Sequence, residues 1–177
     1  MKVDWKKLKI RELAALVCQK LNENDIDAVL VGGACVSIYT KNEYVSYDLD
    51  FVSHSRLKDI SEVLKDLGFK RESSRHFVRA DCPYFIEFVA PPLSIGSERV
   101  KEEEKIKTRF GSITLLTPTD SAKDRLAAYY HWNDPQALEQ AVMVAKAQKV
   151  NLRDIKRWSV AEGHKEKYEA FLKRLKI

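Results

Sequence analysis

The chain has 177 residues, 45% of them apolar, no low-complexity tract and no run of about 18 apolar residues. That allows one buried core and offers no segment that reads as a membrane span. Lys and Arg number 31 against 26 Asp and Glu, a net charge of +5 that suits an anionic partner such as a nucleotide or RNA without requiring one. Cys18, Cys35 and Cys82 are odd in number and scattered, and the four histidines lack ligand spacing. They read as free thiols of a reducing, cytoplasmic setting, not as a disulfide or zinc framework.

The N-terminal stretch "MKVDWKKLKIRELAALV" mixes lysines with Asp4 and Glu12, and reads as an amphipathic helix over 5–22 and not as a signal peptide. "IDAVLVG" (26–32) is a short apolar run closed by Gly32 and Gly33, the pattern of a buried strand, and "ACVSIYT" opens a short helix. "SYDLDFVS" predicts the next strand. A helix follows from a Ser55 cap to Leu67, stopped by Gly68. "FKRES" and "HFVRA" predict short strands around a turn at Ser73 and Ser74, and "YFIEFVAPP" a strand ended by Pro91 and Pro92. "PPLSIGSERV" reads as a loop and "KEEEK" as a solvated helix face, before a last strand at "SITLLT".

From Thr117 the pattern is helical. "TPTD" is a capping box with Pro118 in the first turn, Asp134 and Pro135 restart the helix, Asn151 caps another, and a final helix runs over 165–175. The expected fold is α/β (α+β): a mixed sheet of about five strands flanked by helices, with a C-terminal helical cap. The expected division is an α/β core at 1–117 and a helical region at 118–177 packed on it as one unit.

Asp48 and Asp50 stand one residue apart in a strand-like run, so their side chains share a face about 7 Å apart or less. Two such carboxylates repel unless something positive lies between them. A Gly-Gly turn before a helix allows close backbone approach and offers free N–H groups to an anion. Glu87, in "YFIEFV", is a further acid in a strand; Asp81, beside Cys82 and Pro83, reads as a turn residue.

The strand, Gly-Gly, short helix and acid–apolar–acid order resembles the nucleotidyltransferase superfamily of DNA polymerase beta and the aminoglycoside nucleotidyltransferases. The resemblance implies that Asp48, Asp50 and Glu87 hold one or two Mg2+ ions. It further implies that Gly32, Gly33 and Ser46 cradle a nucleoside triphosphate, and that Glu87 helps deprotonate an acceptor hydroxyl. Two departures stand out: Gly-Gly replaces the usual Gly-Ser, and Glu replaces the usual third Asp.

The segment "TPTDSAKDRLAAYYHWNDPQALEQA" is similar to the later motifs of abortive-infection-type nucleotidyltransferase toxins. By that likeness Lys123 and Arg125 would contact the triphosphate, Asp134 would orient Lys123 or the nucleotide, and Tyr130 would flank a base or sugar. The residues themselves leave other readings open. Lys123 also fits a solvated face, Asp134 is fully explained as an N-cap, and Trp132 with Tyr129 and Tyr130 fits a core.

The implied activity is transfer of a nucleoside monophosphate from a triphosphate to a hydroxyl of RNA or tRNA, of a protein Ser or Tyr, or of a small molecule. A toxin role with a cognate antitoxin partner belongs to the same likeness. The alternative is a non-catalytic nucleotide-binding module of the same fold.

Overall fold

The computed structural model describes residues 3–176. Helix α1 spans Ile10–Asn22; it starts later than the expected residue 5 because Lys9 is extended, with its N–H donating to the Glu12 carboxylate at 3.1 Å. Strand β1 (Val29–Val31) leads through Gly32 into α2 (Gly32–Tyr39), and β2 (Asp48–Val52) carries the two aspartates. Helix α3 (Leu57–Asp66) is entered from an extended Arg56, not from a Ser55 cap. Gly68, at φ +79°, closes it as expected.

Strands β3 (Lys70–Arg71), β4 (His76–Val78) and β5 (Phe85–Val89) follow. Two expectations then fail. "PPLSIGSERV" holds a small hairpin of β6 (Ser94–Ile95) and β7 (Glu98–Arg99), and "KEEEK" is no helix face but enters β8 (Glu103–Thr108). Pairing with β9 (Gly111–Leu116) decides the latter, in an antiparallel register from Glu103↔Leu116 to Thr108↔Gly111. Helices α4 (Pro118–Trp132), α5 (Pro135–Ala147), α6 (Leu152–Ala161) and α7 (Lys165–Leu175) complete the described chain. Thr117, Asp134 and Asn151 cap α4, α5 and α6 through their side chains, as the sequence predicts.

The sheet is mixed and larger than the expected five strands: seven in the order β3-β4-β5-β2-β1-β9-β8. β2 lies at its centre, antiparallel to β1 and parallel to β5. Alternation along β2 and β5 buries Leu49, Phe51, Ile86 and Phe88 completely or nearly so, while Asp48, Asp50 and Glu87 remain half-buried on the other face. The buried face joins Leu13, Val17 and Leu21 of α1 and Ile60 and Leu64 of α3 in one core. Each such side chain contributes about 1.5–3 kcal/mol when fully removed from water. That core fixes the central strands, and with them the spacing of the acids on the opposite face.

Candidate active site

In the parallel pairing of β2 with β5, Asp50 lies directly opposite Glu87, and in the pairing of β1 with β2 Val31 lies opposite Asp50. Asp48 is two residues up the same strand and shares their face. The three predicted carboxylates are therefore neighbours on one patch of the sheet, immediately beside the turn into α2.

That turn is shaped around Asp50. Gly32 has φ +70°, and a Cβ on it would stand 2.6 Å from Asp50 Oδ2. Gly33 is packed as well: a Cβ there would meet Ser46 Oγ at 3.2 Å and the Tyr44 ring at 3.4 Å. Ser46 is buried and donates from Oγ to Asp48 Oδ1 at 2.5 Å, while its N–H donates to Ser37 Oγ at 2.9 Å. The Ser46 hydroxyl thus orients the Asp48 carboxylate.

Gly32→Ala is expected to cost about 1 kcal/mol in left-handed strain and to displace the Asp50 carboxylate. Thermal unfolding and turnover measured together would show it: activity lost well beyond the fall in stability. Full activity in the variant would mean that Asp50 tolerates displacement.

Three acids on one patch raise the proton affinity of the most enclosed one. Burial first, then the charges of Asp48 and Glu87, push the Asp50 carboxyl up to about 7, against a counteracting pull from Arg125. Oxygen donors of this kind suit a hard divalent cation, and the missing Cβ of Gly32 is what leaves Asp50 Oδ2 its place. Among the described residues, however, no group of three or more His, Cys, Asp or Glu already closes into a metal-sized cluster.

No family model matches the chain, and no curated protein matches it significantly. Solved structures do. An antigenic nucleotidyltransferase-like protein from Paracoccidioides brasiliensis superposes with a TM-score of 0.54 at 13% identity, over 91% of this chain and 92% of that one. ANT(2'')-Ia, in a complex with adenylyl-2''-tobramycin, gives a TM-score of 0.51 at 11% identity, over 93% of this chain and 97% of its own. The chain has the nucleotidyltransferase fold. Likeness at this identity establishes the architecture, and the chemistry has to be argued from the residues.

Within the nucleotidyltransferase fold, the two basic residues of α4 part company. Lys123 and Arg125 are two positions apart on a helix, roughly 200° around its axis. Lys123 is only 3% exposed, and its Nζ lies 2.5 Å from Asp154, 3.5 Å from Asp120 and 3.5 Å from Glu98. This cluster borders a cavity of about 400 Å³ between the β6–β7 hairpin and the starts of α4 and α6, lined by Glu98, Asp120, Asn151, Asp154 and Arg157 among others. The expectation that Lys123 contacts a triphosphate is corrected accordingly: three carboxylates already hold its ammonium.

Tyr130, on the same stripe, takes the core reading and not the ligand-flanking one: its ring stacks on Trp158 at 5.5 Å and its hydroxyl meets Ser159 at 2.8 Å. Trp132, expected in the core, is 77% exposed.

Arg125 faces the other way. It is among the charges that act on Asp50, on the buried Cys35 thiol and on the Tyr44 hydroxyl. Asp134 accepts from the N–H groups of Gln136 (2.9 Å) and Ala137 (3.3 Å), so its cap role is real. Its charge also adds to that of Asp48 in raising the Tyr44 hydroxyl, after burial. Tyr44, Asp124 and Gln140 are the neighbours that sequence reasoning missed. The helical angle between Lys123 and Arg125 was the available signal for preferring the arginine; nothing local marked Gln140.

Proposed function

We propose that the chain is a divalent-metal-dependent nucleotidyltransferase. It takes a nucleoside triphosphate, moves the nucleoside monophosphate to an acceptor hydroxyl and releases pyrophosphate. The observation that carries this reading is the in-register pair Asp50–Glu87 with Asp48 on the same face, set against a glycine turn that opens a helix. Asp48 and Asp50 would hold Mg2+ (one or two ions), with Glu87 as the third carboxylate. When bound, the metal would supply positive charge to offset the charge that develops on the phosphate.

The chain's own residues supply the rest. Ser46 fixes the Asp48 carboxylate, the free N–H groups at the start of α2 (Gly32, Gly33) receive phosphate oxygens, and Asp134 bounds the nucleotide side. Glu87 is placed to accept the proton of the acceptor hydroxyl. Net charge of +5 favours an RNA or tRNA acceptor over a neutral one, and a toxin role with an antitoxin partner would follow from that version. A nucleotide-binding module without turnover is the second reading; the diversion of Lys123 into internal ion pairs favours it.

Pyrophosphate release separates the two readings. Each of the four ribonucleoside triphosphates is incubated with Mg2+ and total RNA, with Asp48→Asn in parallel. Release that needs Asp48 and RNA is the expected result and names the nucleotide. Release without RNA points to another hydroxyl. Nucleotide binding with no release under any condition supports the module.

A further inference from the structure

A groove of about 510 Å³ lies where the start of α1, the end of α2 and the β8–β9 turn meet. Ile38 and Phe110 give it an apolar surface, and Lys9, Arg11, Lys41 and Arg109 supply four cations. We propose that this groove seats a single-stranded RNA and leads its terminal hydroxyl to the carboxylate patch. The proposal rests on the nucleotidyltransferase reading above and names the surface that holds the acceptor.

The charge balance points to an anion. Glu12 is the one acid that lines the groove, and it is already engaged: it accepts from Arg109 Nη2 at 2.6 Å and from the Lys9 N–H at 3.1 Å. The Arg109 guanidinium also lies over the Phe110 ring, 4.6 Å from its centre, so this arginine belongs to the wall. Lys9, Arg11 and Lys41 are exposed, and among the described residues none of them has a carboxylate partner. Lys41 is held in place by its backbone. It and Asn42 are both left-handed (φ +53° and +67°), and the Asn42 N–H donates to the Ser37 carbonyl at 2.8 Å. Three uncompensated cations around one apolar groove repel one another, and a polyanion relieves that repulsion.

The groove also ends in the right place. Ser37 lines it and accepts from the Ser46 N–H at 2.9 Å, while Ser46 Oγ donates to Asp48 Oδ1 at 2.5 Å. One serine therefore joins the groove to the acids. Along α2, Ser37 is one turn past Gly33 on the same face, a rise of about 6 Å. An acceptor lying there has its end beside the patch, where its hydroxyl is needed.

An exposed ring selects a single strand over a duplex or an acidic peptide. Tyr47 follows Ser46 directly. One face of its ring rests on Tyr84, with centres 6.2 Å apart, and 60% of the residue stays exposed. Unstacked bases pack on such rings while their phosphates lie on nearby cations. A duplex keeps its bases stacked inside, and an acidic peptide supplies charge without bases.

The test titrates the full chain, without Mg2+ or triphosphate, into labelled single-stranded RNA of mixed sequence, read by fluorescence anisotropy at several salt concentrations. Replacing Lys9, Arg11 and Lys41 together by alanine is expected to weaken binding about ten-fold or more. It should also flatten the slope of log affinity against log salt by about 2, at roughly 0.7 for each cation. Tyr47→Ala should weaken binding about ten-fold and keep the slope. All four side chains are exposed, so the unfolding midpoint should stay at the wild-type value. In pyrophosphate release, the same variants should need more RNA for the half-maximal rate and keep kcat.

Wild-type affinity and slope in the triple-alanine variant overturn the proposal, while RNA-dependent release would still support the nucleotidyltransferase reading. Duplex RNA that binds as tightly as the single strand, or polyglutamate that competes as well as RNA, overturns the assignment to single-stranded RNA. A wild-type chain that binds no RNA but releases pyrophosphate with another hydroxyl overturns this proposal alone. No release with any acceptor removes the nucleotidyltransferase reading, and the acceptor role of the groove with it.

Discussion

Asp50→Asn is expected to abolish turnover and, at the same time, to make the protein more stable above neutral pH. An aspartate ordinarily loses its proton near 3.8, and burial beside Asp48 and Glu87 pushes Asp50 up to about 7. Between those values the folded chain keeps a proton that the unfolded chain has released, so stability falls as pH rises through that window and stays low above it. The cost is on the order of 2 kcal/mol once partial solvent access is allowed for. Asparagine keeps the shape and removes the charge.

The variant should therefore match the wild type near pH 4 and exceed it at pH 8. Mg2+ supplies the missing positive charge by another route. At pH 8 it should raise the unfolding midpoint of the wild type and leave that of Asp50→Asn nearly unchanged. Unfolding scans at pH 4 and pH 8, with Mg2+ and with a chelator, read all of this. A less stable variant at pH 8, or one with wild-type turnover, would remove Asp50 from the metal hypothesis. Sites that store unfavourable charge for function commonly cost stability in this way.

What the sequence showed of this site depended on periodicity. Alternation in "YDLDFV" and "YFIEFV" was enough to place Asp48, Asp50 and Glu87 on strand faces, because side-chain direction in a strand is set residue by residue. The Gly-Gly turn was legible for the same local reason, and so were the caps at Thr117, Asp134 and Asn151. The register that brings Asp50 opposite Glu87 was not. It is fixed by parallel pairing across a connection of more than thirty residues, and only the resemblance suggested it.

The "KEEEK" stretch failed for a related reason. Nothing in its charges distinguishes a solvated helix from a strand at the sheet edge, and only β9 decides. Lys123 is the clearest miss. Its partners Glu98 and Asp154 lie 25 and 31 positions away, on a hairpin read as a loop and on a helix whose docking was not foreseen. A lysine on a helix reads as solvated or as a ligand; a third fate, an internal counter-ion that ties two remote elements together, has no local signature.

That third fate carries the second large expectation. Lys123→Met should destabilise the fold by about 3 kcal/mol, because it leaves acids enclosed without their cation. Asp154 shows the dependence: burial alone would push its carboxyl up, yet hydrogen bonds from Lys123 and Arg157 hold it below the usual aspartate range. Glu98 is held down by the same two partners, also against its burial. Arg157 remains in the variant, so Glu98 and Asp154 keep one partner each, while Asp120 loses the ammonium that opposes its own burial.

For a chain of this size the loss corresponds to a fall of roughly 6–12 °C in the unfolding midpoint. Affinity for Mg2+ and pyrophosphate, measured well below that midpoint, should stay at the wild-type value, because the methionine changes the packing between α4, α6 and the β6–β7 hairpin and leaves the Arg125 face of α4 alone. Unfolding scans and calorimetry on one preparation decide it. A variant of normal stability that binds pyrophosphate poorly would return Lys123 to the nucleotide and would require α6 to move away when ligand binds. A variant that unfolds early but binds normally would show that Lys123 holds the fold together and is not the group that meets the phosphate.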